Sequence, residues 1–400
     1  MGGAAIDERQ NREQTMRVLA VGGGSGGHVT PVVAVLDELQ KGSKNVDVRF
    51  WCDVHFAPQA RQIMAEYDPD IAVNTVVAGK FRRYSHLTKL QHLTIPSVVF
   101  PNIRDAFLVV AGVVQSLFRL IAWRPDVVFA KGGYVCLPVG WAAWLLRIPL
   151  VIHDSDAHPG LTNRLLAPVA KRIGTGVPLE HYGYPAKKTT YVGIPISAKY
   201  KTVTPERQAA LKQSLGLDAK RPLAVFIGGG LGSRQINDAV ATHLDALLAR
   251  TNVVLLSGVA QYDELRSLTP QNDPRFILKD FITDGLPDLI MAADVVVSRA
   301  GATALLELAA CAKPTVLVPS KRLLWQVKHA KVFADADAVL LLDEDTFENP
   351  DDNALPTAVT KVLDDSAFAR RLARNLHKQA RPHAASDMAA MIMRAGKKGR

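Results

Sequence analysis

The stretch RVLAVGGGSGGHVTP, residues 17–31, decides the fold. It begins with a short apolar run typical of a β-strand and continues into the pattern G-x-G-x-x-G, formed by Gly22, Gly24 and Gly27. Glycines at the end of a strand bring bare backbone to the start of a helix, where N–H groups and the helix dipole attract phosphate. His28 follows the last glycine at once, and the run contains more glycines than a dinucleotide fingerprint requires. The stretch alone therefore leaves open a nicotinamide or flavin site and another kind of phosphate site.

Apolar, β-branched runs alternate with helical patterns through two stretches of the chain. Strands are predicted at residues 17–21, 46–52, 71–77, 126–130 and 150–153, and again at 223–227, 252–256, 276–278, 294–298 and 315–318. This alternation predicts an α/β protein with two Rossmann-like, doubly wound domains facing a cleft. The predicted divisions are a polar, disordered leader at 1–16, domains at 17–198 and 199–365, and a C-terminal helix with a basic tail at 366–400.

Composition limits the function classes. A chain of 400 residues exceeds what one hydrophobic core usually serves. The formal net charge of +10 favours anionic partners. Cys52, Cys136 and Cys311 are too far apart for C-x-x-C spacing, which indicates reduced thiols in a cytosolic protein and no zinc site. The polar start of the chain lacks the apolar core of a secretion signal. No DNA- or RNA-binding module is visible, so no nucleic-acid partner is expected.

One segment is markedly apolar. Residues 106–123 are interrupted by Gln115, Ser116 and Arg119, so no membrane-spanning helix is predicted. Because this helix is apolar all round, it is expected to be buried on more than one face. The preceding segment, residues 79–92, is basic with interleaved aromatic residues, a combination that suits an anionic membrane surface.

Two more glycine loops follow predicted strands. Gly132 and Gly133 come after the strand at 126–130, and residues 228–232 read GGGLG after the strand at 223–227. Ligands in such sheets bind outside the carboxyl ends of the strands, so three loops in two sheets predict one or two phosphorylated ligands in a cleft. A dehydrogenase needs only one loop and an acid closing the second strand, for which Asp53 is available. That alternative leaves the loop of the second half unexplained.

Together, the motifs resemble those of the MurG glycosyltransferases of peptidoglycan synthesis. GGSGGH (residues 23–28), KGGYVCLP (131–138), IHDSDAHPGLTNRLL (152–166), GGGLGSRQIN (228–237), RAGATALLE (299–307) and WQVKHA (325–330) occur in the family's order. The resemblance implies the GT-B fold and transfer of N-acetylglucosamine, with inversion, from UDP-N-acetylglucosamine to the 4-hydroxyl of undecaprenyl-diphosphate-linked N-acetylmuramoyl pentapeptide. It further implies a cytoplasmic enzyme, peripheral on the inner face of the membrane, that needs no metal and no cofactor.

The same resemblance assigns the site residues. On the acceptor side it implies binding by Ser25, Gly26, Gly27, Gly132, Gly133, Asn163 and Arg164. Tyr134, Asp154 and Asp156 are predicted to be catalytic residues. On the donor side it implies Gly229, Gly230 and Gly232 at the diphosphate, Phe281 and the backbone of Ile282 at the uracil, Glu307 at the ribose hydroxyls, Gln326 at the sugar, and the motif residues Arg299, Gly301 and Ala302. His28 is the candidate base, because an imidazole titrates near neutral pH.

Several substrate-facing positions depart from the family's pattern. They are Asp154 and Asp156 for a glutamate and an asparagine, Gly230 and Leu231 for a serine and a glutamine, Trp325 for a glutamine, and Ser197 for an arginine. Two alternatives with the same fold follow. A UDP-N-acetylglucosamine 2-epimerase would use the paired aspartates around the sugar ring, and a non-catalytic relative would only bind the nucleotide sugar. Asp154 and Asp156 also form a D-x-D pattern, but glycine loops and helix N-termini can neutralise a diphosphate without metal.

Overall fold

The computed structural model describes residues 15–23, 26–42, 45–82, 88, 94–155, 159–229, 232–282, 285–347, 349 and 352–397. These residues fold into two units. One contains the described residues up to Gly193 together with those from His383 onward, and the other is Ile194–Pro382. Nearly all of the predicted leader lies outside the described residues.

The first unit is built on a parallel sheet that has seven strands among the described residues. These are β1 (Met16–Gly22), β2 (Val46–Cys52), β3 (Ala72–Thr75), β4 (Val127–Gly132), β5 (Leu150–Asp154), β6 (Arg172–Thr175) and β7 (Thr189–Tyr191). Their order is β3-β2-β1-β4-β5-β6-β7. The central strands β4 and β5 are buried along their whole length, as expected where helices cover both faces of a parallel sheet. The order reverses between β1 and β4, which is the switch point where such sheets bind ligands.

Six of the described helices surround this sheet. They are α1 (Gly26–Gly42), α2 (Ala57–Tyr67), α3 (Pro96–Trp123), α4 (Cys136–Leu145), α5 (Leu161–Leu166) and, from the far end of the chain, α15 (Ala384–Gly396). The last helix packs on α1 and places Met388, Ile392 and Ala395 in the core against β4 and β5. The Lys171 ammonium donates to the carbonyl of Ala395 at 3.0 Å, which ties the end of this helix to β6.

Helix α3 differs from the sequence prediction. One face is buried, with Val98, Leu120 and Trp123 directed into the protein. The opposite face is an exposed apolar stripe, called here the α3 stripe, formed by Phe100, Ile103, Phe107, Val110, Val114, Phe118 and Ile121. The prediction that this helix is buried on more than one face is therefore wrong. Its residues are apolar all round although only one face packs on the domain.

Helix α3 is also the only helix among the described residues that is long and apolar enough to cross a membrane. Its most apolar window has a mean hydropathy of 1.9. Its buried face nevertheless packs along α4, and Gly112 lies so close to the neighbouring segment that a Cβ atom there would come within 2.0 Å of the Val77 carbonyl oxygen. The helix is thus an integral part of the first unit.

The second unit repeats the architecture with a parallel sheet of six strands among its described residues. They are β8 (Leu223–Ile227), β9 (Asn252–Leu256), β10 (Phe276–Lys279), β11 (Val295–Ser298), β12 (Thr315–Leu317) and β13 (Leu340–Leu341), in the order β10-β9-β8-β11-β12-β13. Its helices are α6 (Pro205–Ser214), α7 (Arg234–Thr242), α8 (Leu244–Arg250), α9 (Tyr262–Leu268), α10 (Leu286–Ala292), α11 (Ala302–Ala310), α12 (Leu324–Asp335), α13 (Ala354–Asp364) and α14 (Ser366–His377). Apolar clusters lie on both faces of the sheet.

The units divide the chain differently from the predicted domains. The first division falls between Gly193 and Ile194, whereas the predicted domain boundary lies between residues 198 and 199. The segment 366–400 was treated as one piece, but α14 lies in the second unit and α15 in the first. The apolar residues of α15 find their burial against the sheet of the first unit, which no local pattern in the sequence indicates.

Replacing Met388 by alanine should destabilise the first unit. The side chain is fully buried, and truncation of a buried methionine typically costs about 2–5 kcal/mol. Denaturant unfolding followed by tryptophan fluorescence measures the effect, since Trp51 and Trp123 lie in this unit. The exposed Arg394 on the same helix is the control, and Arg394→Ala should change stability little. Equal effects of the two substitutions would contradict the placement of this helix.

Candidate functional site

The first two glycine loops meet at the switch point of the first sheet. All strands are parallel, so β1 and β4 end at the same edge. Gly133 adopts a φ of +88°, and a Cβ atom there would lie 2.5 Å from the carbonyl oxygen of Gly23. Only glycine fits this contact. The two loops therefore present backbone, rather than side chains, to the edge where a ligand would lie.

Helix α1 begins directly after the first loop. The backbone of Gly26, Gly27 and His28 forms its first turn, where unpaired N–H groups and the helix dipole favour an anion. Ser25 and the His28 imidazole lie outside the described part of the chain, so their predicted roles stay predictions.

Tyr134 follows the second loop and points to Asp53 at the end of β2. Its hydroxyl hydrogen-bonds the Asp53 carboxylate, and burial together with this carboxylate raises the pKa of Tyr134. The Asp53 carboxylate also accepts from the backbone N–H of Phe56 at 3.1 Å. Asp53 is the residue that a dehydrogenase would use for its ribose. In this structure the Asp53 carboxylate instead links Tyr134, which follows the second loop, to the backbone of Phe56.

Asp154 ends β5 and is buried. Its carboxylate accepts from the Tyr184 hydroxyl at 2.6 Å and from the backbone N–H of Gly160 at 3.3 Å. Burial and the neighbouring Asp154 raise the pKa of Tyr184, which keeps this phenol protonated as a donor. Asp156 lies outside the described residues. The structure thus gives Asp154 a clear role in holding the segment after β5, while the predicted catalytic role of the pair stays a prediction.

A chain of hydrogen bonds below the second loop was missed by the sequence analysis. The Lys131 ammonium donates to the Ser155 hydroxyl at 2.6 Å, and this hydroxyl lies 3.5 Å from His153 Nδ1. His153 Nε2 lies 2.8 Å from the carbonyl oxygen of Gly193. Because a carbonyl can only accept, Nε2 carries the hydrogen and Nδ1 is the acceptor. Burial and the positive charge of Lys131 lower the pKa of His153, so the ring stays neutral.

Asn163 and Arg164 are adjacent in the chain but differ in exposure. The Asn163 amide is buried and donates to the carbonyl of His153 at 3.1 Å, so it braces the end of β5. Arg164, the next residue, is exposed on helix α5. Asn163 thus positions the backbone of the predicted acceptor side, and the binding roles of both residues stay predictions.

The third glycine loop connects β8 to α7 in the second unit. Gly229 and Gly232 have φ values of +88° and +79°, and a Cβ atom at Gly232 would lie 2.0 Å from the carbonyl oxygen of Ser257. Ser233 caps α7 by accepting from the N–H of Ile236. Gly230 and Leu231 lie outside the described part of the chain. The described ends of the loop provide the backbone geometry of an anion site at a helix N-terminus.

Glu307 lies on α11, which begins after Gly301 at the end of β11. Ala302 is the first residue of that helix, so the backbone of both Gly301 and Ala302 faces the same edge as the third loop. Burial raises the pKa of Glu307 to about 8, while a hydrogen bond from the Tyr200 hydroxyl opposes that rise. The carboxyl is therefore held near its titration point at neutral pH, with Tyr200 orienting it.

Three other predicted donor-side residues lie on this unit. Phe281 is 44% exposed just after β10, and Ile282 packs partly against the core. Gln326 is buried at the start of α12, and its side-chain oxygen accepts from the N–H of Ser320 at 3.0 Å. This bond fixes the orientation of the Gln326 side-chain amide, including its nitrogen. The side chain of Trp325 lies outside the described residues.

Arg299 is buried and is bonded by protein groups, unlike a residue that faces a ligand. It is 7% exposed, and its guanidinium is bonded by protein groups on all its nitrogens. Its partners are the Ser233 hydroxyl at 2.9 Å, the Gln235 side-chain oxygen at 2.9 Å, the Val318 carbonyl at 3.2 Å and the Glu344 carboxylate at 2.6 Å. Glu344 appears in none of the sequence motifs. The predicted substrate contact of Arg299 stays a prediction, and the structure gives it a role in bracing the third loop.

Within the described ranges, no group of three or more histidine, cysteine, aspartate or glutamate side chains is arranged to hold a metal ion. Cys52, Cys136 and Cys311 are buried free thiols, and burial raises the pKa of each to about 12. These cysteines are therefore core residues.

Comparison with known proteins places this arrangement in a family. Residues 18–175 match the glycosyltransferase family 28 N-terminal domain, and residues 223–388 match the family's C-terminal domain. A relative from Bacillus cereus is 33% identical over 76% of this chain and 79% of its own length. One from Geobacillus thermodenitrificans is 32% identical over 87% of this chain and 91% of its own length. The second is named UDP-N-acetylglucosamine--N-acetylmuramyl-(pentapeptide) pyrophosphoryl-undecaprenol N-acetylglucosamine transferase, and the first carries the same name with the number 2.

Solved structures agree on the fold. MurG from Acinetobacter baumannii has a TM-score of 0.66 and 22% identity, covering 95% of this chain and 99% of its own. A UDP-GlcNAc 2-epimerase from Neisseria meningitidis, bound to UDP-GlcNAc, has a TM-score of 0.63 and 13% identity, covering 95% and 100%. These likenesses show a shared architecture of two α/β domains.

The matched domains and the two sheets with their glycine loops define a glycosyltransferase of the GT-B type. The chain belongs to glycosyltransferase family 28 and, within it, to the MurG transferases. The predicted family and the predicted pair of Rossmann-like domains are thereby confirmed.

Proposed function

We propose that this protein transfers N-acetylglucosamine from UDP-N-acetylglucosamine to the 4-hydroxyl of undecaprenyl-diphosphate-linked N-acetylmuramoyl pentapeptide. The product is the disaccharide-bearing lipid of peptidoglycan synthesis. The observation that carries the proposal is the 32–33% identity, over most of the chain, to relatives named for this reaction. The glycine loops in both units support it, since donor and acceptor each bring a diphosphate.

The second unit is the proposed donor site. The diphosphate lies at the third loop, beside Gly229, Gly230 and Gly232, where loop N–H groups and the dipole of α7 attract it. The ribose hydroxyls donate to the Glu307 carboxylate. The uracil lies against Phe281 and the backbone of Ile282, and the side-chain amide of Gln326 faces the sugar hydroxyls.

The first unit is the proposed acceptor site. The first turn of α1 and the second loop face the acceptor diphosphate, with Tyr134 beside them. The acceptor oxygen forms a bond to C1 of N-acetylglucosamine as the bond from C1 to the UDP oxygen breaks, with inversion at C1. The acceptor proton passes to His28. The leaving UDP carries the developing negative charge, which fixed N–H donors stabilise without rearrangement.

The epimerase alternative has weaker support. The solved epimerase is similar to this chain in fold at 13% identity, which carries no information about the reaction. The Asp154 carboxylate is bonded to Tyr184 and Gly160 and is buried, whereas an epimerase needs carboxyl groups directed at the sugar ring. A transferase, by contrast, requires only that Asp154 support the acceptor side.

Incubating the purified protein with labelled UDP-N-acetylglucosamine and a lipid-linked muramoyl pentapeptide should give sugar transfer and an equal amount of UDP. Transfer should persist in EDTA, because backbone N–H groups and helix dipoles hold the diphosphate. Omission of the acceptor is the control and should abolish UDP release. Isomerisation of the sugar without acceptor would indicate the epimerase, and nucleotide binding with neither reaction would indicate a binding protein. Loss of transfer in EDTA, restored by magnesium or manganese, would contradict the metal-free site.

Glu307 provides a test of ribose recognition. Replacing it by alanine removes a charged acceptor, which typically costs about 1.5–3 kcal/mol, and alanine is well tolerated in a helix. Above pH 8, where the Glu307 carboxyl is ionised, UDP affinity should therefore fall about tenfold to a hundredfold. The wild type should prefer UDP to 2′-deoxy-UDP, and Glu307→Ala should lose most of that preference. Isothermal titration calorimetry measures both affinities.

The pH dependence of the same binding gives an independent check. The ionised carboxyl accepts from two hydroxyls, so the nucleotide binds the deprotonated form more tightly. With the pKa of Glu307 near 8 in the free protein, UDP affinity should rise as the pH increases through that value. Glu307→Gln should remove this rise.

Equal preference for UDP over 2′-deoxy-UDP in Glu307→Ala and in the wild type would place Glu307 outside the site.

We further propose that the protein is cytoplasmic and peripheral on the inner face of the cell membrane, with the α3 stripe as its contact. The stripe residues recur three or four positions apart, so they share one face of α3. Phe100, Phe107 and Phe118 are each 71–72% exposed. Lys80 and Arg104 are exposed in the same region, where an anionic surface would attract them. Arg83 and Lys89 of the predicted basic segment lie outside the described residues.

Replacing Phe107 and Phe118 together by serine should weaken sedimentation with phosphatidylglycerol vesicles. Burying a phenylalanine in an apolar phase contributes about 1.5–3 kcal/mol, so the loss should be at least tenfold. The matched control replaces Val259 and Leu268, two exposed apolar residues of the second unit, by serine. That pair should leave vesicle binding unchanged. Equal loss in both double variants would remove the α3 stripe from the proposal.

A further inference from the structure

Glu344 is a buried acid that no motif includes. It opens a short 3₁₀ turn, Glu344–Phe347, after β13, and its side chain is 8% exposed. Its two carboxylate oxygens serve two different segments. Oε2 accepts from Arg299 at 2.6 Å, and Oε1 accepts from the backbone N–H of Lys321 at 2.6 Å.

The Arg299 branch leads to the third glycine loop. Arg299 Nε donates to the Ser233 hydroxyl at 2.9 Å, and another guanidinium nitrogen donates to the Gln235 side chain at 2.9 Å. Ser233 is the cap of α7 and Gln235 lies in its first turn. The Arg299 guanidinium thus fixes the helix N-terminus at which the third loop ends.

The Lys321 branch leads to Gln326. The backbone N–H of Ser320 donates to the Gln326 side-chain oxygen at 3.0 Å, and the next N–H, that of Lys321, donates to Glu344. The turn before α12 is therefore held between these two side chains. Its position sets where the Gln326 amide nitrogen points.

We propose that Glu344 is a positioning residue of the donor site that fixes the third glycine loop and the Gln326 turn relative to each other. The inference rests on the proposed function, in which the loop holds the diphosphate and Gln326 the sugar of one ligand. Two binding elements that grip adjacent parts of one molecule must be held at a fixed separation, and a misplacement of about 1 Å can cost a hundredfold in rate. A carboxylate with one oxygen on each branch provides that link directly.

Arg299 is explained by the same arrangement. A buried guanidinium needs a counter-charge, and Glu344 supplies it within the protein. The Arg299 donors are consequently directed to protein acceptors, with the ligand's phosphates left to backbone N–H groups.

Replacing Glu344 by glutamine retains an acceptor for Lys321 but removes the counter-charge of Arg299. The effect should grow along the series UMP, UDP and UDP-N-acetylglucosamine, because base and ribose are bound by residues outside this network. UMP affinity should change little, UDP affinity should fall about tenfold, and that of the nucleotide sugar about a hundredfold. Calorimetric titration of the full-length protein with each ligand measures the series.

The matched control is Asp294→Asn in the same unit. Asp294 pairs with the buried Lys212 at 2.5 Å and accepts from the N–H of Leu223 at 2.7 Å, at the opposite edge of the sheet from the third loop. Its loss should lower the midpoint of thermal unfolding and leave the ratios among the three affinities unchanged. The contrast separates positioning of the ligand from stability of the unit.

A double variant keeps the test decisive if Glu344→Gln folds poorly. Arg299→Met with Glu344→Leu removes both charges, and apolar replacement of a buried pair is often neutral or stabilising. This variant should fold and bind UMP, yet lose the preference for UDP-N-acetylglucosamine over UMP. An equal loss for all three ligands, or an unchanged series, would overturn the positioning role alone. Absence of nucleotide binding by the wild type would overturn the proposed function itself.

Discussion

Close contact between bare backbones at the carboxyl ends of the strands is the constraint on which the rest of this structure depends. Gly133 lies against the Gly23 carbonyl in the first unit, and Gly232 lies against the Ser257 carbonyl in the second. A side chain at either position would separate elements that must touch. The two sheets can therefore offer N–H groups to an anion only because these positions lack a Cβ atom.

Polar side chains around these loops are directed inward. Asp53, Asp154 and Glu344 each accept from a backbone N–H as well as from a side chain. Such buried acceptors are costly to leave unsatisfied, so each restricts its neighbours to one arrangement. In this protein the charged residues nearest the loops shape the backbone, and the backbone is what faces the ligand. Because backbone N–H groups face the ligand, the second unit can keep an anion site although its Arg299 is buried.

The sequence predicted the central strands well because they combine β-branched runs with glycine loops. Strands β6, β7 and β13 were missed, because β6 (RIGT) and β7 (TTY) contain no apolar run and β13 is only two residues long. Family motifs led to Glu307 and Gln326, but Tyr200 and Glu344 lie outside every motif, and their partners are distant in sequence. Lys131 lies inside a motif, yet its bond to Ser155 could not be read from the motif. The exposed face of α3 was misjudged because hydrophobicity alone does not distinguish a face covered by protein from one left open.

The placement of α15 has a consequence for how the chain folds during synthesis. The second unit, Ile194–Pro382, is continuous, so all of its strands are available once its own segment has left the ribosome. Synthesis of the first unit starts earlier, yet residues that close its core, among them Met388 and Ile392, are made only after the second unit. Its apolar surface beside α1 therefore stays uncovered while the whole second unit is translated. The first unit therefore begins before the second and is completed after it.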